Sequence, residues 1–336
     1  MRRVLRGAWP LLLTVLSCGT LGGEDGGAEN LPNRGIAPYV PVSLERLETV
    51  TDFVFPPALL PGQVAVRSPS MVVYGQTVSM FALVVAGGDP PILGRADSPD
   101  GIVFGPFVDV VPGLRPDASA SPTVAIDEAG LWHLVFGDAS GSVLWHAVSD
   151  DGRSFIPDGA PLLVADPDEA GGISSPSLVF ADGVAHIYYQ ARSAMGLPAS
   201  IRHTAGPTFQ SRVSILDSGA GCKDLKGQPT ACFDGSGVLD PEVRIAVTAT
   251  GRRVFRLFYV GLRGEVRTLA FAAAHLADTP FERYAYNPVL EVSGRKLAEP
   301  TNVRFGARYL LYTGTTSLRG GVALSINETG IASESF

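Results

Sequence analysis

SPSMVVYG (Ser68 to Gly75) opens a pattern that the chain repeats four more times: SPTVAID (Ser121 to Asp127), SPSLVFADG (Ser175 to Gly183), DPEVRIAV (Asp240 to Val247) and EPTNVRFG (Glu299 to Gly306). Each unit is a polar residue, a proline and an apolar run of strand type, and the prolines fall 53, 54, 65 and 59 residues apart. A second, more aromatic run follows each opener: VSMFALVV, LWHLVFGD, VAHIYYQAR, VFRLFYVG and RYLLYTGT. A third comes next: ILGRADS, VLWHAVS, SIRHTAG, VRTLAFA and GVALSIN. Four units add a fourth segment, FVDVV, PLLVA, VSILD or PVLEV. Tandem units of four antiparallel strands predict the blades of a β-propeller. The fifth unit shows no fourth segment, whereas DFVFPPALL (Asp52 to Leu60), ahead of the first, resembles one. An N-terminal strand closing the last blade would leave no open edge. The expectation is therefore an all-β, five-bladed propeller over residues 48–336. An open β-sandwich is the alternative, but its strands would not recur in fours.

Composition agrees with that reading. Of 336 residues 46% are hydrophobic, enough for a large core, while only 18% are charged and 65 are Gly or Pro (39 and 26). So many turn-formers exclude a helical bundle and favour short strands. In the first two units the third strand runs into Ser98-Pro-Asp100-Gly101 and Ser149-Asp-Asp151-Gly152, each with a phenylalanine (Phe104, Phe155) three residues later. Asp-Gly supplies the positive φ of a tight turn, and the phenylalanine re-enters the apolar layer. Net charge is −7 with no Lys/Arg cluster in the body of the chain, which argues against a nucleic-acid partner.

The N-terminus indicates a compartment. Arg2, Arg3 and Arg6 precede a short apolar stretch, Trp9 to Leu16, that ends in Val15-Leu16-Ser17-Cys18. This stretch is too short to span a bilayer and resembles a bacterial lipobox, implying a signal peptide (1–17) and a lipidated Cys18. An ordinary signal peptide containing a cysteine is the alternative. A glycine-rich tether (18–47) would follow, and Gly19 after the lipid suggests sorting to the outer membrane of a cell envelope. The membrane would be touched through the lipid only, by a monomer. Cys222 and Cys232 remain as an even pair in an oxidising compartment, suited to a disulfide. Two cysteines without nearby His or Asp ligands would make a poor metal site.

Five blades whose inner strands open on acid-Pro or Ser-Pro pairs resemble the five-bladed propeller glycoside hydrolases, the clan of arabinanases, β-xylosidases, invertases and levansucrases. The resemblance implies a funnel at one end of the axis, lined by inner-strand openers that supply an aspartate base or nucleophile, a second aspartate and a glutamate acid. Glycoside hydrolysis uses such carboxyl pairs to protonate the leaving oxygen and to activate water or attack the sugar. In this chain Ser68 and Ser175 occupy the first- and third-blade positions. Asp240, Glu242 and Glu299 remain as candidate catalytic acids, with Glu242 placed on the same strand face as Asp240. A structural reading of these acids, Glu242 pairing with Arg244 or Arg304, stands beside the functional one. The resemblance also implies that second-strand ends reach the funnel, offering Asp138, Tyr189, Gln190, Arg192 and Arg263 as ligand-binding residues beside Ser68 and Ser175. The five histidines (133, 146, 186, 203 and 275) share no metal-ligand spacing, and neither metal nor cofactor is expected. Asn327-Glu328-Thr329 fits a glycosylation sequon of little meaning in a bacterial lipoprotein. Three functions stay open: a propeller binding carbohydrate or another surface ligand without cleaving it, a glycosidase whose base is Asp117 or Asp138, and a docking platform for another envelope protein.

Overall fold

The computed structural model describes residues 48–51, 65–85, 90–114, 116, 120–138, 140–192, 199–219, 232–247, 252–284, 287–291, 297–306, 308–315 and 321–327. At 48–51, 308–309, 315 and 321–327 only the backbone path is described. The proposed signal segment, Cys18 and tether, as well as Asp117 and Cys222, lie outside the described residues.

The protein is an all-β propeller. Strand β1 (Glu48–Thr51) is set apart in sequence from the rest. β2 (Ala65–Tyr74), β3 (Thr77–Val85), β4 (Ile92–Ser98) and β5 (Val108–Asp109) make the first sheet. The second contains β6 (Thr123–Ile126), β7 (Trp132–Gly137), β8 (Val143–Ser149) and two fragments, β9 (Ile156–Pro157) and β10 (Leu163–Val164). A 3-10 turn, Pro167–Glu169, leads to the third: β11 (Gly172–Ala181), β12 (Val184–Arg192), β13 (Ser200–Ala205) and β14 (Arg212–Leu216). The fourth holds β15 (Gly237–Val247), β16 (Arg253–Arg263), β17 (Val266–Ala274) and β18 (Glu282–Arg283). β19 (Leu297–Phe305), β20 (Arg308–Thr315) and β21 (Gly321–Asn327) form the fifth, which β1 completes by pairing Glu48 with Ile326 and Thr49 with Ser325. The 52–60 segment expected beside β21 lies outside the described residues; the strand that pairs there is the one just ahead of it.

The first strands β2, β6, β11, β15 and β19 lie side by side in a circuit that returns to β2. Apolar side chains fill the space between neighbouring sheets, because each inner sheet has both faces covered and must be apolar on both. Phe81, Leu83, Trp132 and Leu134 join the first sheet to the second. Val135, Leu178, Ile187 and Tyr189 join the second to the third. Tyr188, Val243, Leu257 and Tyr259 bridge the third and fourth, and Phe258, Phe271, Leu297 and Leu311 the fourth and fifth. Met71, Met80, Leu310 and Tyr312 then join the fifth back to the first. Each large side chain so buried contributes roughly 1.5–3 kcal/mol, so the core is distributed over the interfaces.

In the first, second and fourth sheets the outer strands are shorter than the sequence suggests, two residues each, whereas β14 has the expected five. In the fourth sheet the ladder is Glu282–Arg283, and the expected segment PVLEV contributes only a single bridge, Leu290 to Leu269. The Asp-Gly turns form as expected. Ser98 Oγ accepts the Gly101 N–H at 2.9 Å, and Asp100 Oδ1 accepts those of Ile102 and Val103 at 2.8 and 2.9 Å. Gly101 sits at φ 73°, and a Cβ there would lie 2.4 Å from Leu310 Cδ1, so the turn seats against the fifth sheet. Phe104 and Phe155 are buried, against Tyr312 and Phe81 respectively.

Candidate functional site

The polar openers reach the axis through a shared backbone irregularity. Ser68, Ser175, Asp240 and Glu299 have φ of 51°, 47°, 50° and 47°, and in each case the ladder register shifts across the opener and its proline. Left-handed φ is uncommon for any non-glycine residue, and a residue before proline ordinarily stays extended. Four repeats of the same strained bulge turn four side chains out of the pleat and toward one another.

They meet in a hydrogen-bonded belt. Glu299 Oε2 accepts the Ser68 N–H at 2.7 Å, and its Oε1 accepts the hydroxyls of Ser68 at 2.5 Å and Ser121 at 3.3 Å. Ser68 and Ser121 hydroxyls also lie 3.2 Å apart. Asp240 Oδ2 accepts the Glu299 N–H at 3.2 Å, while its Oδ1 accepts the Ser175 hydroxyl at 2.9 Å. All five openers are thus linked, with the two acids on adjacent sheets.

Two residues further along each strand a second tier staples the sheets. Ser70 Oγ accepts the Val124 N–H at 3.0 Å, Thr123 Oγ1 that of Leu178 at 3.2 Å, Ser177 Oγ that of Val243 at 2.9 Å and Thr301 Oγ1 that of Met71 at 3.3 Å. Glu242 belongs to this tier. Its Oε1 accepts the Thr301 hydroxyl at 3.0 Å and lies 2.6 Å from Arg244 Nη2, which also donates to the Met71 carbonyl at 2.9 Å. Glu242 is buried beneath the belt, where it lines a small cavity with Asp240 and Glu299, and it is absent from the wall of the funnel above.

Above the belt opens a cavity of about 540 Å³. The openers Ser68, Ser121, Ser175, Asp240 and Glu299 line it, as do Asp138, Gln190 and Arg192 from the second-strand ends. Two expected residues do not. Tyr189 alternates with Gln190 along β12 and so faces the opposite way; it is fully buried and donates to Glu169 Oε1 at 2.7 Å. Arg263 is exposed at the tip of the β16–β17 hairpin and outside the cavity wall. Arg267, next along β17, lines the cavity instead, and Arg67, directly before the first opener, does too. Proximity to the first opener could have pointed to Arg67; no signal in the sequence marks Arg267.

The acids differ in environment. Burial and the neighbouring Asp240 charge raise the Glu299 carboxyl to about 7, against the hydrogen bonds from Ser68 and Ser121. Burial likewise raises the Glu242 carboxyl, opposed by Arg244. Burial would also raise Asp138, but the Ser140 hydroxyl at 2.6 Å and the N–H groups of Val143 and Ser142 at 3.1 and 3.0 Å hold it below the ordinary carboxylate value. Among the described residues no group of three His, Cys, Asp or Glu is arranged to hold a metal ion.

Solved glycoside hydrolases share this all-β propeller fold. The chain is similar to a thermostable family-43 glycoside hydrolase (TM-score 0.59, 13% identity, covering 79% of this chain and 90% of that one). It is also similar to an α-L-arabinofuranosidase from Podospora anserina in complex with cellotriose (0.58, 11%, 84% and 96%) and to the Cellvibrio cellulosa α-L-arabinanase complexed with arabinohexaose (0.53, 12%, 78% and 91%). At these identities the likeness is one of fold. No family model and no curated protein matches the sequence.

Proposed function

We propose that this chain is a lipid-anchored protein of a bacterial cell envelope whose five-bladed propeller, closed by its N-terminal strand, binds carbohydrate in the axial funnel without cleaving it. The observation that carries this reading is the belt. Glycoside hydrolysis needs two carboxyl groups flanking the scissile bond, roughly 5–10 Å apart. Here serines stand at three of the five openers, and Asp240 and Glu299 are adjacent and joined through the Glu299 N–H. Ser68, Ser175, Asp138, Gln190 and Arg192 are the ligand-binding residues in this reading, with Arg267 in place of Arg263. The arabinohexaose and cellotriose complexes of similarly folded proteins support a carbohydrate occupant.

Anchorage rests on Cys18 and the apolar stretch before it, with the outer membrane as destination. A Cys222–Cys232 bond suits that oxidising setting. Closing so short a loop would contribute roughly 2–3 kcal/mol. Incubating the purified protein with arabinan, xylan and fructan tests the functional reading. Retention of one of them without release of reducing sugar is expected, and release at a steady catalytic rate would overturn it. One observation favours a second reading, hydrolysis: a Glu299 carboxyl raised to about 7 holds the proton that a general acid would need. Loss of such release in Glu299→Gln would establish it.

A further inference from the structure

Resting on the carbohydrate reading, we infer that the funnel takes a saccharide bearing carboxylates, a uronate, because three guanidinium groups without ion-pair partners line it. Arg67, Arg192 and Arg267 all border the cavity, and none lies in a salt bridge among the described residues. Six arginines elsewhere are matched to acids: Arg95 to Asp97, Arg202 to Asp168 and Glu169, Arg212 to Asp166 and Glu169, Arg244 to Glu242, Arg253 to Asp182 and Arg283 to Asp234. Three that are not border a single cavity, in a chain whose net charge is −7.

The acids of the same cavity make no ion pair with them among the described residues. Asp138 is committed to its own turn through Ser140, Ser142 and Val143. Asp240 and Glu299 are committed to the belt. Arg192 is held in place rather than neutralised: the Gln190 side-chain oxygen, in the orientation that satisfies both groups, accepts from its Nε and Nη2 at 2.9 Å each. Gln190 is itself buried, which fixes the pair. A guanidinium offers paired N–H donors in a planar fork matched to a carboxylate, and such charge-assisted bonds are about twice as strong as neutral ones. The cavity also falls within the ~300–1,000 Å³ range of small-ligand pockets.

Calorimetry on the full chain tests this with four probes at low and high salt: an oligogalacturonate, its fully methyl-esterified form, a neutral xylo-oligosaccharide and a sulfated oligosaccharide. The acid should bind at least about tenfold more tightly than its ester, an advantage that shrinks with added salt. Arg67→Gln should cost the acid roughly five- to tenfold while leaving ester binding in place, and Arg192→Gln and Arg267→Gln should each weaken binding of the acid by more than they weaken binding of the ester. The salt comparison on the unaltered protein stands even where a variant fails to fold. Equal binding of acid and ester, or tighter binding of the neutral oligosaccharide, would overturn the inference and leave the carbohydrate reading intact. Tighter binding of a sulfated oligosaccharide than of the uronate would overturn the choice of carboxylate. Binding of no saccharide would overturn both readings.

Discussion

The molecule handles charge in two opposite ways at two sites rich in carboxylates and arginines. Beside the third sheet, the fully buried Glu169 is enclosed by donors: Tyr189 at 2.7 Å, Arg202 Nη1 at 3.1 Å, the Asp166 N–H at 3.0 Å and Arg212. At the funnel, Glu299 and Asp240 are served by hydroxyls and backbone N–H groups only, while the nearby arginines keep their charges open to the cavity. The first arrangement ties the 3-10 turn to β13 and β14, which is a folding task. The second sets arginines around a concave site where, among the described residues, they make no ion pair with the acids beside them.

The sharpest way to break this contrast is Glu169→Ala. It would leave two buried or half-buried guanidinium groups and a buried phenol without their acceptor, a class of change that costs about 3–5 kcal/mol. Urea denaturation would read the loss as a lower midpoint at an unchanged slope. A loss below about 1 kcal/mol would show that water or neighbouring acids replace Glu169, and the two regions would then not differ in kind.

The open region should instead show itself through pH. Glu299 has a folded value near 7 against an ordinary 4.5, so the folded state holds its proton more tightly. A raised value stabilises below the unfolded value, and that contribution is lost as pH rises from about 4.5 through 7. The full shift corresponds to at most about 3 kcal/mol. His133, His186 and His203, lowered chiefly by burial, act in the opposite sense, favouring the fold as pH rises toward 6.5. Glu242, raised by burial, acts in the same sense as Glu299. Subtracting the melting profile of Glu299→Gln from that of the parent cancels these common contributions. The variant should gain relative stability between pH 5 and 8, and a flat difference would place the Glu299 carboxyl at its ordinary value.

A smaller effect is expected for Ser68→Ala, which removes a hydroxyl 2.5 Å from Glu299 Oε1. Loss of one charge-assisted bond at a partly buried acid costs about 1–2 kcal/mol above pH 7. Because that bond lowers the Glu299 carboxyl, its removal should also move the titration upward. Carboxyl NMR would detect the move, and an unmoved titration would show that the Ser68 N–H alone sustains the belt.

The sequence carries much of this architecture but little of its fine geometry. The proline period and its five openers mark the inner strands because a proline can sit there only where the ladder is already interrupted. Ser98 to Gly101 reads as a turn from local chemistry alone. By contrast, Tyr189 and Gln190 are adjacent in a strand whose two faces are both buried, so alternation cannot say which one meets the funnel. Glu242 is two residues from Asp240, and on a flat strand would share its face. Both do line one small axial cavity, but the bulge at Asp240, with its left-handed φ, puts Asp240 on the funnel wall and Glu242 beneath it, a difference in depth that no local signal reports. Arg267 enters the cavity only because β17 pairs Arg267 with Leu262, a register fixed by the hairpin at Gly264 and not by either residue's type.

The finest test compares two arginines. Arg67 is exposed, makes no ion pair among the described residues and has a strand backbone already paired with Leu83. Replacing its side chain with Gln removes charge but no bond that holds the fold, so stability should stay within about 0.5 kcal/mol. Arg212→Gln, stripping Glu169 and the Val164 carbonyl of a donor, should cost several times as much, since it leaves a buried carboxylate short of a countercharge. Parallel urea curves for the two variants would measure the difference. If Arg67→Gln fell by as much as Arg212→Gln, the cavity arginine would be a structural part like the other. A negligible change would show that the charge at 67 plays no part in holding the fold, as the contrast requires.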